Sequence, residues 1–241
     1  LRFLRLAWPK KWPPAGGRTK RQKTLEPKIT SHPVPTTRPL LIFAKAPVPG
    51  KVKTRLIPAL GAEGACALYQ RLLEHCLLQT ADWPGERLLY VDQPSHVWLK
   101  VLAAEHGLPV RRQVEGDLGE RMMSAMADFP GGALLIGSDC PALDTQAIAR
   151  AAAALQSHDT AIIPSDDGGY VLIGQRQPHP APFEQMQWSH AKVMADTRQR
   201  LHRAGLSLWE GEPLWDLDEP ADLPRLPPAL ARALRTGRVS R

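Results

Sequence analysis

The sequence predicts an α/β domain built on a mostly parallel sheet, and three observations carry that expectation. From residue 40 onward, short apolar runs alternate with amphipathic stretches of helical period. The runs are almost continuously hydrophobic, as strands covered on both faces must be. Their order is largely β-α-β, the arrangement in which crossovers lay successive strands side by side in one direction.

Each element has its own justification. Residues 40–44 (LLIFA) read as the buried first strand, and 62–79 as a helix, because Ala65, Leu68, Tyr69, Leu72, Leu73 and Cys76 recur at three- and four-residue spacing. Strands follow at 88–91, 110–114 and 133–137, the last the most strongly apolar, with helices at 96–106 and 118–128 between them. A helix at 145–156, strands at 160–163 and 170–174, a helix at 189–204 opened by Ser189 as N-cap, and a strand at 206–209 continue the pattern. The Pro-, Leu-, Ala- and Arg-rich tail, 219–236, reads as one or two short closing helices, and no internal repeat is present.

With 241 residues, 43% of them hydrophobic, the chain has the material for one globular domain with a sizeable core. The net charge of +7 is unevenly placed. Residues 1–38 hold ten Lys or Arg against the single acid Glu26, whereas 39–241 hold 21 basic and 23 acidic residues. The body is therefore not basic, and nucleic acid is not an expected partner of it. Six prolines and the lack of any period make 1–38 read as a disordered extension, which the opening Leu1 suits, ahead of a single domain over 39–241. No apolar run is long enough to span a bilayer and the first thirty residues lack a secretory core, so the expected setting is cytoplasmic. Cys66, Cys76 and Cys140 form no C-x-x-C pair, which fits a reduced compartment and disfavours a thiolate zinc site.

In a parallel sheet, ligands meet the loops at the carboxyl ends of the strands. After the first strand, a loop stiffened by Pro47, Pro49 and Gly50 carries Lys45, Lys51, Lys53 and Arg55, a set suited to gripping nucleotide phosphates, or otherwise a solvated basic loop. It matches neither G-x-G-x-x-G nor the P-loop pattern. After the strand at 133–137, Ser138-Asp139-Cys140-Pro141 places one carboxylate at the sheet edge, as a ligand of Mg²⁺ or Mn²⁺ or as a helix N-cap. Cys140 is a poor nucleophile beside that acid. Asp216 and Asp218 alternate along the chain, so one of them is expected to face the site as a second metal ligand. Asp167-Gly168-Gly169-Tyr170 is a hairpin turn or an acceptor-facing loop. At the start of the third helix, Asp117 is a natural cap, while Gly116 and Gly119 permit a flat ligand to approach. Trp188 reads as core or as a stacking surface, and His190 as a surface residue.

Five motifs in this order, F-A-K-A-P-V-P-G-K-V-K-T-R-L at 43–56, G-D-L-G-E-R-M at 116–122, G-S-D-C-P at 137–141, D-G-G-Y at 167–170 and D-x-D-x-P-x-D-L at 216–223, resemble a bacterial glycosyltransferase family. That family has the GT-A, or nucleotide-diphospho-sugar transferase, fold, a three-layer α/β/α architecture, and some members are linked to arsenosugar biosynthesis. It is distantly similar to phospholactate guanylyltransferase and the molybdenum-cofactor guanylyltransferase. The resemblance implies phosphate contacts for Lys51, Lys53 and Arg55, and a base and ribose site near Asp117, Gly119 and Arg121. It also implies a divalent cation on Asp139 with Asp218, and an acceptor near Asp167, Gly168, Gly169, Tyr170 and Trp188. The chain departs from the pattern at His190 and Glu219, where Thr is expected in both cases.

The expected activity is metal-dependent transfer from a nucleotide-activated donor, a nucleoside diphosphate sugar, to a small acceptor of unknown identity, with Asp167 as general base. The alternatives are nucleotidyl transfer from a nucleoside triphosphate with release of pyrophosphate, and nucleotide binding without turnover. Because the composition of the extension cannot bury apolar surface, a chain starting at Thr37 should keep the melting temperature of the full chain. A fall of more than a few degrees in a thermal melt would show that the extension docks.

Overall fold

The structure is a computed structural model that describes residues 37–228, 230 and 231. The extension expected before Thr37, and the end of the expected closing helices, lie outside the described residues. Seven strands form one sheet in the order β3-β2-β1-β4-β6-β5-β7. They are β1 Leu40–Ala44, β2 Arg87–Val91, β3 Val110–Arg112, β4 Ala133–Ile136, β5 Thr160–Pro164, β6 Tyr170–Gln175 and β7 Leu208–Glu210. Strand β1 pairs in parallel with β2 and β4, β2 with β3, and β5 with β7, while β6 runs antiparallel between β4 and β5. The mostly parallel α/β class expected from the sequence is the one observed.

Alternation along the strands divides the core into two layers. Leu40, Ile42, Leu89, Val91, Leu134 and Ile136 pack on one face with α1 (Ile57–Gln79), α2 (Val97–Glu105) and α4 (Thr145–Ala154). Leu41, Phe43, Leu88, Tyr90 and Leu135 pack on the other with α3 (Leu118–Ala127) and α5 (Val193–Arg203). The residues of β1 are buried on both sides, which is why that run carries no polar residue. Arg38 fastens the entry to β1, its guanidinium donating to the Gly131 and Arg176 carbonyls.

Several boundaries differ from the expected ones, each for a local reason. Helix α1 begins five residues early, across a kink where Gly61 has φ 71 and ψ 168, a backbone that glycine supplies without steric cost. Helix α5 starts at Val193 and not at Ser189, because Ser189 sits at φ 66, outside the extended conformation an N-cap needs. Strand β7 starts two residues later than expected and ends one residue later. The tail forms a 3-10 helix, Pro220–Arg225, opened by a capping box between Glu219 and Asp222 and containing Pro224, which has no amide to continue an α-helix.

The parallel strands bring their carboxyl ends to one edge. Segments 45–53, 92–96, 113–117, 137–144 and 211–219 all emerge there, and the β5–β6 turn, 165–169, joins them because β6 returns from the same edge. Several charged loops of the domain therefore meet along one rim.

Candidate functional site

The loop after β1 is held by its backbone. Lys45 donates its amide to the Tyr69 hydroxyl at 2.7 Å, and Ala46 donates to Asp92 Oδ1 at 2.7 Å. The Val48 and Lys51 amides bond to Ala46 and Val48 carbonyls within the loop. Pro47 and Pro49 have no amide, so this turn offers little backbone for wrapping a phosphate chain, and its cationic side chains carry that capacity instead. Lys45, Lys51 and Arg55 are exposed.

Lys53 is different. Its backbone takes φ 45 and ψ 45, unusual for a non-glycine residue, just before the 3-10 turn Thr54–Leu56. The side chain, 5% exposed, runs inward, and Nζ lies 3.1 Å from Asp139 Oδ2 and 3.6 Å from Asp218 Oδ1 while donating to the Leu217 carbonyl. Two of the ammonium's three hydrogens are used by Asp139 and the Leu217 carbonyl, and Asp218 is an ion-pair partner beyond hydrogen-bond range. Arg55 donates to Asp218 from the solvent side. Burial opposes the charge on Lys53, but the carboxylates of Asp139 and Asp218 outweigh it and raise its pKa. For Asp139, desolvation pushes upward and is overcome by the Lys53 charge and hydrogen bond, which hold the carboxyl below its usual range.

Both ends of this cluster are anchored by Leu217. Its amide donates to the Asp139 carbonyl at 2.9 Å, and its side chain is fully buried among Leu56, Leu68 and Leu72. The flanking acids both line an open cleft of about 290 Å³, together with Arg55, Asp167, Trp215 and Arg225. The expectation that only one of Asp216 and Asp218 faces the site is thus corrected: the segment is irregular, so strand alternation does not apply. Their surroundings separate them. Asp218 has two cationic partners, whereas desolvation and the nearby charges of Asp139 and Asp167 push the Asp216 carboxyl up to about 6.

Asp167 accepts from the Gly169 amide at 2.9 Å and from the Ser165 hydroxyl, both on Oδ1. The D-G-G sequence is therefore a hairpin turn that also lies on the cleft. Gly168, at φ 91, packs so tightly on the Ala191 carbonyl that a Cβ would stand 2.1 Å from it. Tyr170 and Trp188 meet edge to face with ring centroids 6.5 Å apart. Gly119 lies under Trp188, where a Cβ would come within 2.8 Å of the indole. Asp117 caps α3 in a capping box with Glu120, so one of its carboxylate oxygens is occupied. Arg121 is held by the Gly116 carbonyl at 3.0 Å and by the buried Gln113 at 3.4 Å.

The N-cap of α4 is Asp144, which accepts from the Ala147 amide, and not Asp139. Asp139 instead faces the rim, where it pairs with Lys53. Burial pushes the Cys140 thiol up to about 12, helped by Asp139, which removes it as a nucleophile. Tyr69, Asp92, Gln113, Trp215 and Arg225 were missed by sequence reasoning. Asp92 and Gln113 carry a usable signal, since each is the first residue after a parallel strand. Arg225 does not: it lies 4.6 Å over the Trp215 ring and 3.1 Å from Asp166, a long-range arrangement.

Among the described residues, no group of three or more His, Cys, Asp or Glu side chains is arranged to hold a metal ion. The donor chemistry nonetheless fits a hard cation. Asp139 and Asp216 are hard oxygen ligands that repel each other, and two protein carboxylates with phosphate oxygens are a usual Mg²⁺ set.

A family model described as an uncharacterized protein conserved in bacteria (DUF2064) matches residues 76–190. No curated protein matches the chain. Among solved structures, a Desulfovibrio desulfuricans G20 protein assigned as a nucleotide-diphospho-sugar transferase is similar at 28% identity and a TM-score of 0.71, over 82% of this chain and 94% of that one. A CMP:2-keto-3-deoxy-manno-octonic acid synthetase complexed with CTP is similar at 11% identity and a TM-score of 0.52, over 83% of this chain and 100% of that one. The inositol-1-phosphate CTP transferase of T. maritima gives 11% and 0.52, over 83% and 96%. The fold is that of the nucleotide-diphospho-sugar transferases.

Because Lys53 is the cation shared by Asp139 and Asp218, Lys53→Met should leave two carboxylates facing each other across an apolar side chain. A loss of about 1–3 kcal/mol in urea unfolding is expected, reduced from a fully buried pair because both acids are partly exposed. Unchanged stability would mean that the bridge is not formed in solution.

Proposed function

We propose that the protein is a transferase acting on a nucleotide-activated donor, and that it moves a glycosyl group from a nucleoside diphosphate sugar to a small hydroxyl-bearing acceptor. The observation that carries this reading is the rim itself. Phosphate-suited cations (Lys45, Lys51, Arg55) and the carboxylate Asp139 meet at the carboxyl edge of the sheet, where Asp216 and Asp167 line the cleft. The likeness to a nucleotide-diphospho-sugar transferase over most of both chains supports it.

In this reading the exposed side chains of Lys45, Lys51 and Arg55 take the diphosphate, and Arg121 with the 116–121 turn takes the base and ribose. Asp139 and Asp216 hold a divalent cation, Mg²⁺ or Mn²⁺, with Asp218 kept beside them by Lys53 and Arg55. The cation supplies charge compensation to a leaving diphosphate. Asp167, with Oδ1 engaged by Ser165 and Gly169, uses Oδ2 to accept the proton of the acceptor hydroxyl. The side chains that offset the leaving-group charge stand ready before reaction, which is where electrostatic catalysis gains most.

Asp139→Asn keeps the shape and removes the charge. Turnover should fall by roughly 2–4 kcal/mol of transition-state stabilisation, while the fold persists with a stability loss no larger than that of Lys53→Met, the other half of the same ion pair. Equal turnover in this variant would remove Asp139 from the chemistry. The choice between glycosyl and nucleotidyl transfer follows from the β1 loop, whose engaged amides and two prolines favour side-chain contact with a diphosphate over the close backbone wrapping of a triphosphate. With Mn²⁺ present, a nucleoside diphosphate is expected to bind at least as tightly as its triphosphate in calorimetry, and turnover to release the diphosphate. Stoichiometric pyrophosphate from a triphosphate would instead establish a nucleotidyltransferase.

A further inference from the structure

Arg225 borders the cleft by lying on Trp215. Its guanidinium carbon stands 4.6 Å from the centre of the indole, Nη2 donates to Asp166 Oδ2 at 3.1 Å, and Nη1 lies 3.9 Å from Asp222 Oδ1. An aromatic face flanked by two carboxylates is a receptor for an organic cation, and here the chain's own cation fills it. The receptor is built independently of its occupant. The Asp166 amide donates to the Leu214 carbonyl and the Leu214 amide to the Pro164 carbonyl, both at 3.0 Å, which fixes the β5–β6 turn beside Trp215. Trp215 packs against the cluster of Leu56, Leu68 and Leu72. Asp222 Oδ2 is held by the Asp218 and Glu219 amides at 3.1 and 2.8 Å, which leaves Oδ1 to Arg225. The occupant is held less firmly. The Arg225 side chain is 46% exposed and that of Asp166 53%, and ion pairs so open to water contribute little.

We infer that Trp215, Asp166 and Asp222 bind a cationic group of the acceptor, an ammonium or guanidinium, in the place that Arg225 holds while the cleft is empty. The inference rests on the transferase reading and adds the charge of its acceptor. The lining of the cleft selects that class. Six carboxylates and two guanidiniums border a volume of about 290 Å³, room for a small organic molecule. Arg55 is engaged by Asp218, and the charge of a divalent cation on Asp139 and Asp216 would be answered by the diphosphate of the donor. An incoming acceptor therefore meets a surplus of negative charge, which repels a phosphate or carboxylate on it and draws in a cation. Asp166 and Asp167 are consecutive and both line the cleft, so a ligand resting its cation on Trp215 has its remaining atoms near the carboxylate proposed as the base. Arg225 is then an internal competitor. Being half exposed, it can swing into water about its own side-chain bonds and leave the backbone of the site unmoved.

The test titrates small organic cations into the full chain and follows the Trp215 indole signal in ¹H–¹⁵N spectra, identified by its loss in Trp215→Phe. At constant ionic strength, at least one of ethanolamine, choline and agmatine should shift that signal to saturation, while glycerol and glycerol 3-phosphate leave it in place. Arg225→Gln removes the internal competitor and should tighten cation binding about twofold to fivefold, the release expected from an occupant held as weakly as exposed ion pairs are. Arg225→Lys keeps a cation on the ring and should bind like wild type, and Asp166→Asn should weaken binding about threefold or more. With Mg²⁺ and saturating UDP or GDP the cation should still bind, as a group of the acceptor must beside a bound donor. Cations that all leave the signal unmoved, cation binding weakened or unaltered by Arg225→Gln, glycerol 3-phosphate bound instead, or cations expelled by the diphosphate would overturn the cationic acceptor and leave the transferase reading standing. Failure of both diphosphates to bind would overturn that reading, and with it the assignment to an acceptor, even where cations reach Trp215.

Discussion

The buried ammonium of Lys53 is the contact on which the arrangement of the rim depends. It joins the loop after β1 to the loop after β4 through Asp139, and to the segment after β7 through Leu217 and Asp218. Three segments far apart in the chain are thereby held by one charge. Without a cation at that point, Asp139, Asp216 and Asp218 would crowd together uncompensated, and mutual repulsion would open the cleft. The side chain reaches this place because the backbone at Lys53 accepts a left-handed conformation, a local cost offset by the ion pairs it makes possible.

The sheet prepares that contact. Parallel pairing of β1, β2, β3 and β4 presents Lys45, Asp92, Gln113 and Gly137 along one line, each the first residue after its strand. Several of these residues serve as fasteners and make no reach towards a ligand: Asp92 holds the Ala46 amide, and Gln113 donates to the Ala44 and Tyr90 carbonyls. The antiparallel β6 adds the Asp167 turn to the same edge. A rigid scaffold of buried strands thus carries a rim of charged loops, the division of labour that lets binding groups be both exposed and precisely held.

Charge is distributed unequally within the rim. The Lys53 side is compensated, with Asp218 paired twice, while the Asp216 and Asp167 side is left acidic. In the function proposed above, that asymmetry leaves the second side to a divalent cation and a proton acceptor, while the first keeps its shape through its ion pairs.

The sequence by itself determined the class of fold and the addresses of the rim residues. Apolar runs such as LLIFA and ALLI declare strands buried on both faces, and in a parallel sheet the polar residues just after them, Lys45 to Arg55 and Ser138 to Asp139, can only be at the carboxyl edge. It equally marked Asp117 as a cap, since an acid followed three residues later by Glu is a capping pattern. What it left open was which charges pair. Lys53 meets Asp139 across 86 positions and Arg55 meets Asp218 across 163, and nothing local distinguishes these partners from other Lys, Arg and Asp residues in the same loops. That Asp216 and Asp218 both face the cleft depended on Leu217, between them, entering the core beside α1. Periodicity is a property of neighbours in sequence; compensation of charge and satisfaction of donors are properties of neighbours in space, and only the folded chain supplies those.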